Sequence, residues 1–215
     1  MKSLNNLKTI RDQIVAQEKA FYYFIKSFIL DNESWEVLNI LASKEKVYVL
    51  SGIIRDFLTG DFAGARDFDC VLVDGNIKNI EVIKFLKKTE HRVNSFGGIK
   101  IKHHQEIIDI WRLADTWGIK KQKLDNSPLS LLDTVFFNFS AIVYDFNNRK
   151  FIFDDRFCLF LKTKTMDVVY TENPNIPLCL VNILYYHLKY GYHVSMGLAR
   201  WIQQNYSKEL KFAKV

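Results

Sequence analysis

Apolar positions recur along this chain with two periods, and the switches between them divide it into elements. Leu7, Ile10, Ile14, Phe21, Phe24, Ile25 and Phe28 fall at helical spacing, which predicts one or two amphipathic helices at the start. Asp31 or Asn32 is placed to cap a further helix through Trp35, Leu38 and Leu41, and Lys44-Glu45-Lys46 turns the chain into a strand over Val47 to Leu50. After Ser51-Gly52 the period becomes helical, and a Gly-rich turn then leads to a β-rich run, Phe68 to Val73, closed by Asp74-Gly75-Asn76. Ile77, Ile80, Ile83 and Leu86 fit a crossover helix. His91 to Phe96 and Ile99 to His103 flank Gly97-Gly98 as a hairpin, with another strand at Glu106 to Trp111.

The second half is less regular at first. Asp115 to Ser130 reads as a loop with a short helix, and Ser140 to Phe146 pairs with Lys150 to Phe153 as a second hairpin. Pro174 and Pro177 introduce a helix from Leu178 to Tyr190 that ends at Gly191, and Ser195 caps a last one from Met196 to Tyr206. This order predicts an α+β fold: an N-terminal helical layer over 1–45, a mixed-sheet head over 46–155, and a C-terminal helical neck over 156–215.

Composition adds a few bounds. With 215 residues, 48% of them hydrophobic, the chain can bury a core unaided. It lacks a run of about 18 apolar residues and an N-terminal apolar signal, so a cytoplasmic protein without a membrane partner is expected. Cys70, Cys158 and Cys179 are scattered, which suits reduced core residues. A net charge of +6 is compatible with a polyanion such as a nucleotide or RNA, although scattered lysines give the same total.

The chemistry concentrates in Val47 to Asp74. Asp67 and Asp69, at i and i+2 of a strand, point to one side of a sheet, and paired carboxylates there call for a hard cation, Mg²⁺ or Mn²⁺. Asp109, embedded in the apolar run Ile107-Ile108-Asp109-Ile110, is the candidate third ligand, since a lone buried aspartate is costly. Ser51-Gly52 lies between strand and helix, where free N–H groups and small side chains suit a phosphate. Arg55, one turn on, could reach that phosphate or pair with Asp56 instead. His103-His104 read as exposed polar residues, because adjacent strand positions face opposite sides. Tyr185, Tyr186, Tyr190 and Tyr192 read as core in preference to a base-stacking surface, and Trp111, Trp117 and Trp201 as packing anchors.

The string from Ser51 to Gly60, SGIIRDFLTG, followed by Arg66-Asp67-Phe68-Asp69-Cys70-Val71, resembles the head motif of bacterial tRNA CCA-adding enzymes and poly(A) polymerases. These belong to the DNA polymerase β-like nucleotidyltransferases. More weakly, Phe137 to Asp145 resembles that family's Asp-Phe-Thr segment and Pro177-Leu178 its neck helix. The resemblance implies transfer of an NMP from an NTP to a hydroxyl acceptor on RNA, protein or a small molecule. Asp67, Asp69 and Asp109 would act as catalytic and metal-binding residues, Ser51, Gly52 and Arg55 as nucleotide-binding ones.

Several departures fall on functional positions. Ser51 replaces the family's first glycine, and two extra residues lengthen the loop before Asp67. Val135 and Phe136 stand near the expected arginine pair, and Cys179, Asn182 and Tyr185 replace base-reading arginines of the neck. Each lost bidentate contact removes about 1–3 kcal/mol of base discrimination, so selection between CTP and ATP is expected to be lost. The sequence ends soon after the neck, so tRNA-gripping body and tail helices are not expected. A degenerate nucleotide- or partner-binding protein and an antitoxin-like nucleotidyltransferase are the alternatives these departures leave open.

Overall fold

The computed structural model describes residues 2–61, 67–75, 80–94 and 97–212, so Gly64, Arg66, Ile77 and Phe96 lie outside the described residues. The chain opens with α1 (Lys2–Ala16), α2 (Glu18–Phe24), a π-helical turn at Ile25–Ile29 and α3 (Asn32–Lys44). Asp31 is the cap of α3: its Oδ1 accepts from the Ser34 N–H at 2.8 Å. Next come β1 (Val47–Val49) and α4 (Ser51–Thr59), which stops at Gly60 with a φ of +75°. They are followed by β2 (Phe68–Leu72), α5 (Ile80–Lys88), β3 (Glu90–Val93), β4 (Ile99–His103) and β5 (Glu106–Arg112).

Where the sequence suggests a loop with one short helix, the chain forms a 3-10 turn at Leu113–Asp115, then α6 (Trp117–Gln122) and α7 (Pro128–Thr134). Ser127 caps α7 and Pro128 occupies its first turn, where a missing N–H costs nothing. The two helices are each under two turns long, too short for a single period to reveal them. Asn138–Ser140 is another 3-10 turn, so β6 is confined to Ile142–Asp145, ahead of β7 (Lys150–Phe153). The remainder is α8 (Asp155–Thr163), β8 (Thr165–Met166), α9 (Ile176–Tyr190), β9 (His193–Val194) and α10 (Met196–Phe212). α9 ends at left-handed Gly191, and Ser195 Oγ caps α10 by accepting from the Leu198 N–H at 2.9 Å.

Seven strands form one mixed sheet in the order β3-β4-β5-β2-β1-β6-β7; β2 and β5 run parallel, and the other neighbours are antiparallel. One face carries Val47, Val49, Phe68, Cys70, Leu72, Ile101, Ile108 and Ile110 in the main core with Phe21, Ile25, Leu38 and Leu41 of the N-terminal helices. The other face buries Tyr48, Val71, Ala141 and Val143 beneath Ile119, Leu131 and Leu132 of α6 and α7. Alternation along β2 and β5 therefore sends Asp69 and Asp109 to this second face, beside the part those short helices cover. The three cysteines are buried and unpaired with one another. Among the described residues, no helix is long and apolar enough to cross a membrane.

Candidate active site

Asp67 immediately precedes β2 and Asp69 is its second residue. The parallel register sets Asp69 opposite Asp109 on β5, and the antiparallel register sets Asp109 opposite Lys100 on β4. Neighbouring strands lie about 4.7–4.9 Å apart, so carboxylates opposed on the two strands share one patch. Lys100 Nζ donates to Asp109 Oδ2 at 2.7 Å and to Asp67 Oδ2 at 3.1 Å. Among the described residues Asp69 has no such partner. Burial above all, then the neighbouring charges of Asp109 and Asp67, pushes its carboxyl up to about 7, against a partial opposing pull from Lys100.

The donor set fits a hard divalent cation. Among the described residues three carboxylates meet one ammonium, and the proton affinity of Asp69 is raised first by burial and then by the neighbouring charges of Asp109 and Asp67, charges that a bound cation would offset. Lys100 bridges two of the oxygens that an ion would use, and it is the site residue that sequence reading missed. Its signal lay in the alternation Ile99-Lys100-Ile101-Lys102, which puts both lysines on the face opposite the core, but the opposition to Asp109 depends on a strand register that no local pattern supplies.

The turn between β1 and α4 adjoins this patch, since the Leu50 N–H donates to the Asp69 carbonyl at 2.9 Å. Ser51 and Gly52 are therefore the first residues of a helix whose N-terminus opens beside Asp69. Among the described residues, and beyond its chain neighbours and its own helix backbone, a Cβ built on Gly52 would meet nothing within 4 Å, which leaves that position open to a ligand. Arg55 sits differently. It is 5% exposed, its Nε donates to Asp56 Oδ1 at 2.7 Å, and its guanidinium carbon lies 4.9 Å from the ring centre of Tyr186 and 5.2 Å from that of Phe139. Of the two readings left open in the sequence, the ion pair with Asp56 is the arrangement present. It ties α4 to α9.

A cleft of about 600 Å³ runs from Asp69, Lys100 and Asp109 to Trp111, Thr116 and Trp117. The Trp111 indole donates to Thr116 Oγ1 at 3.0 Å, which fixes one aromatic wall. Tyr192 and Trp201 are buried as expected, while Tyr185 is 40% exposed at the surface of α9.

No protein-family model matches this chain, and no curated protein is detectably similar to it in sequence. Solved structures are similar in fold. A CCA-adding enzyme in its apo form superposes with a TM-score of 0.61 at 16% identity, over 86% of this chain and 45% of that one. A CCA-adding enzyme with ATP gives 0.60 at 16%, over 86% and 46%. A tRNA nucleotidyltransferase complexed with a primer tRNA and an incoming ATP analog gives 0.59 at 18%, over 81% and 50%. The chain thus spans about half the length of these structures. Over that span it has the α+β fold of the CCA-adding and tRNA nucleotidyltransferase structures, the fold that its head motif implies.

Proposed function

We propose that this protein is a metal-dependent nucleotidyltransferase that moves an NMP from an NTP to a hydroxyl acceptor on RNA, a protein or a small molecule. The observation that carries the reading is the convergence of Asp67, Asp69 and Asp109 beside the N-terminus of α4. Support comes from the fold, shared with structures that hold ATP, CTP or a primer tRNA.

In this reading the triphosphate lies against the N–H groups of Ser51 and Gly52, with Arg55, itself fixed by Asp56, holding α4 from behind against the α9 tyrosines. The acceptor oxygen attacks the α-phosphorus, the α–β anhydride bond breaks, and pyrophosphate leaves with the bonding electrons. Asp67, Asp69 and Asp109 would hold Mg²⁺ or Mn²⁺, which when bound lowers the acceptor hydroxyl's pKa and neutralises charge on the pyrophosphate. The hydroxyl proton passes to the carboxylate patch or to solvent. Incubation with each α-labelled NTP and Mg²⁺ tests the proposal: label transfer that Asp69→Asn abolishes supports it, and an inert protein that binds no NTP sinks it.

Lys100 favours a second reading. Its ammonium already spans Asp67 and Asp109, which is the arrangement a nucleotide- or partner-binding descendant without chemistry would keep. Mn²⁺ titration followed by electron paramagnetic resonance separates the two, because the catalytic reading requires the ion to displace Lys100. An antitoxin-like role is the same chemistry with a protein acceptor, and labelled partner protein would identify it.

A further inference from the structure

The turn between β4 and β5 brings together a second group of ligand atoms that the transfer reaction does not use. Alternation along a strand would send His103 and His104 to opposite sides. The chain escapes that rule because His104 is in the left-handed region, with a φ of +51°, and its ring centre comes to 4.2 Å from that of His103. Asp31 faces the pair from the start of α3, and one ligand atom from each of Asp31, His103 and His104 lies within 4.8 Å of the others. Asp31 divides its oxygens: Oδ1 caps α3, while Oδ2 is 3.1 Å from His103 Nε2.

That short approach is not a hydrogen bond, for His103 Nε2 is buried and among the described residues no acceptor lies along its N–H direction. The His103 side chain is 8% exposed, so a buried ring nitrogen without a hydrogen-bond partner among the described residues is held 3.1 Å from a carboxylate oxygen but not directed at it, which leaves its lone-pair direction free for a ligand. Two ligand atoms that each lie about 2.0–2.1 Å from a tetrahedral ion are separated by about 3.3 Å, close to the spacing seen. Glu106 braces the site by accepting the Asp31 N–H with Oε1, and its buried Oε2 also has no hydrogen-bond partner.

We propose that Asp31, His103 and His104 bind a transition-metal ion of the Zn²⁺ class, with solvent in the remaining position on the exposed His104 side. Two imidazoles and one carboxylate select a borderline ion such as Zn²⁺ or Co²⁺ over Mg²⁺. The ion clips the β4–β5 turn to the start of α3, and so fastens the N-terminal helices to the sheet. A separate cavity, about 520 Å³, is lined by Asp31, His104, Glu106 and Asp67, which brings the clip to the Asp67 edge of the carboxylate patch.

The test titrates the full-length protein with Co²⁺ and then Zn²⁺ in an Asp69→Asn background, which weakens the carboxylate patch. Expected are the visible absorption of a nitrogen-ligated Co²⁺, its loss on adding Zn²⁺, and a melting temperature raised by Zn²⁺. Asp31→Asn keeps the helix cap and His104→Asn keeps a left-handed turn, so both variants should melt like the parent in chelator. Each should weaken binding by at least the roughly 10–100-fold that losing a mere supporting contact costs a metal site. Absence of the Co²⁺ spectrum, or affinity unchanged in both variants, would overturn the assignment.

Discussion

Lys100 compensates two of the three carboxylates before any ion arrives, so it acts as a competitor for the metal and as a support for the fold without it. Removing its charge while keeping its length, as in Lys100→Met, separates the two roles. Mn²⁺ affinity should rise on the order of tenfold, because the ion no longer has to displace an ammonium. The metal-free protein should lose about 1 kcal/mol, the scale of a partly exposed ion pair. Calorimetric titration and urea denaturation read these separately; weaker Mn²⁺ binding in the variant would show that Lys100 helps hold the ion's ligands instead. Arg55 presents the opposite case. Its pair with Asp56 is almost fully buried, at 7% and 3% side-chain exposure, so Arg55→Met leaves a carboxylate stranded. The cost should be about 3–5 kcal/mol, and Asp56→Asn in the same chain should recover part of it. Recovery by the double variant, followed by thermal denaturation, is the signature of a pair; none would mean that the lost aromatic contacts dominate.

At the scale of elements, α4 shows how a structural and a functional demand are told apart. Gly52 has no steric reason to be glycine among the described residues, since a methyl group there meets none of their atoms within 4 Å beyond its chain neighbours and its own helix backbone. Gly52→Ala should therefore leave the helix intact or stabilise it by up to about 1 kcal/mol. In the proposed reading the same methyl intrudes on the phosphate, so the KM for NTP should rise several-fold while the melting temperature holds or climbs. An unchanged KM would remove the triphosphate from this turn. Elements of this kind were legible in the sequence because one residue type marked each boundary: Asp31 before α3, Gly60 after α4, Gly191 after α9 and Ser195 before α10. The short helices α6 and α7 were not, because their apolar residues serve a packed pair and no window holds a full period. Of the two histidines read as exposed, His104 is so and His103 is buried, and their rings meet for a related reason: alternation describes a strand, and one left-handed residue at its end suspends it.

For the whole molecule, the mixed sheet follows from the sequence, since a crossover helix between β2 and the later strands implies a parallel pair within hairpins. The register between β2 and β5 does not. It is fixed by Cys70 meeting Ile110 and Phe68 meeting Ile108 in a core that helices from both ends of the chain complete, and the meeting of Asp69 with Asp109 is a consequence of it. That meeting has a cost that stability should reveal. With its carboxyl raised to about 7 in the fold and near 3.9 in the unfolded chain, Asp69 binds a proton more tightly when folded. Between those values the folded state holds a proton that the unfolded state has released, so metal-free stability should fall as pH rises from about 4 to about 7 and level off above. The ceiling is on the order of a few kcal/mol. Urea denaturation in chelator should give a higher midpoint at pH 5 than at pH 8, and Asp69→Asn should flatten the difference. Mg²⁺ at pH 8 should restore the lost stability by supplying the missing charge, as any ligand that binds the folded state alone does. A pH slope that survives both Asp69→Asn and Mg²⁺ would place its origin elsewhere in the molecule and take from Asp69 the strained charge on which the metal assignment leans.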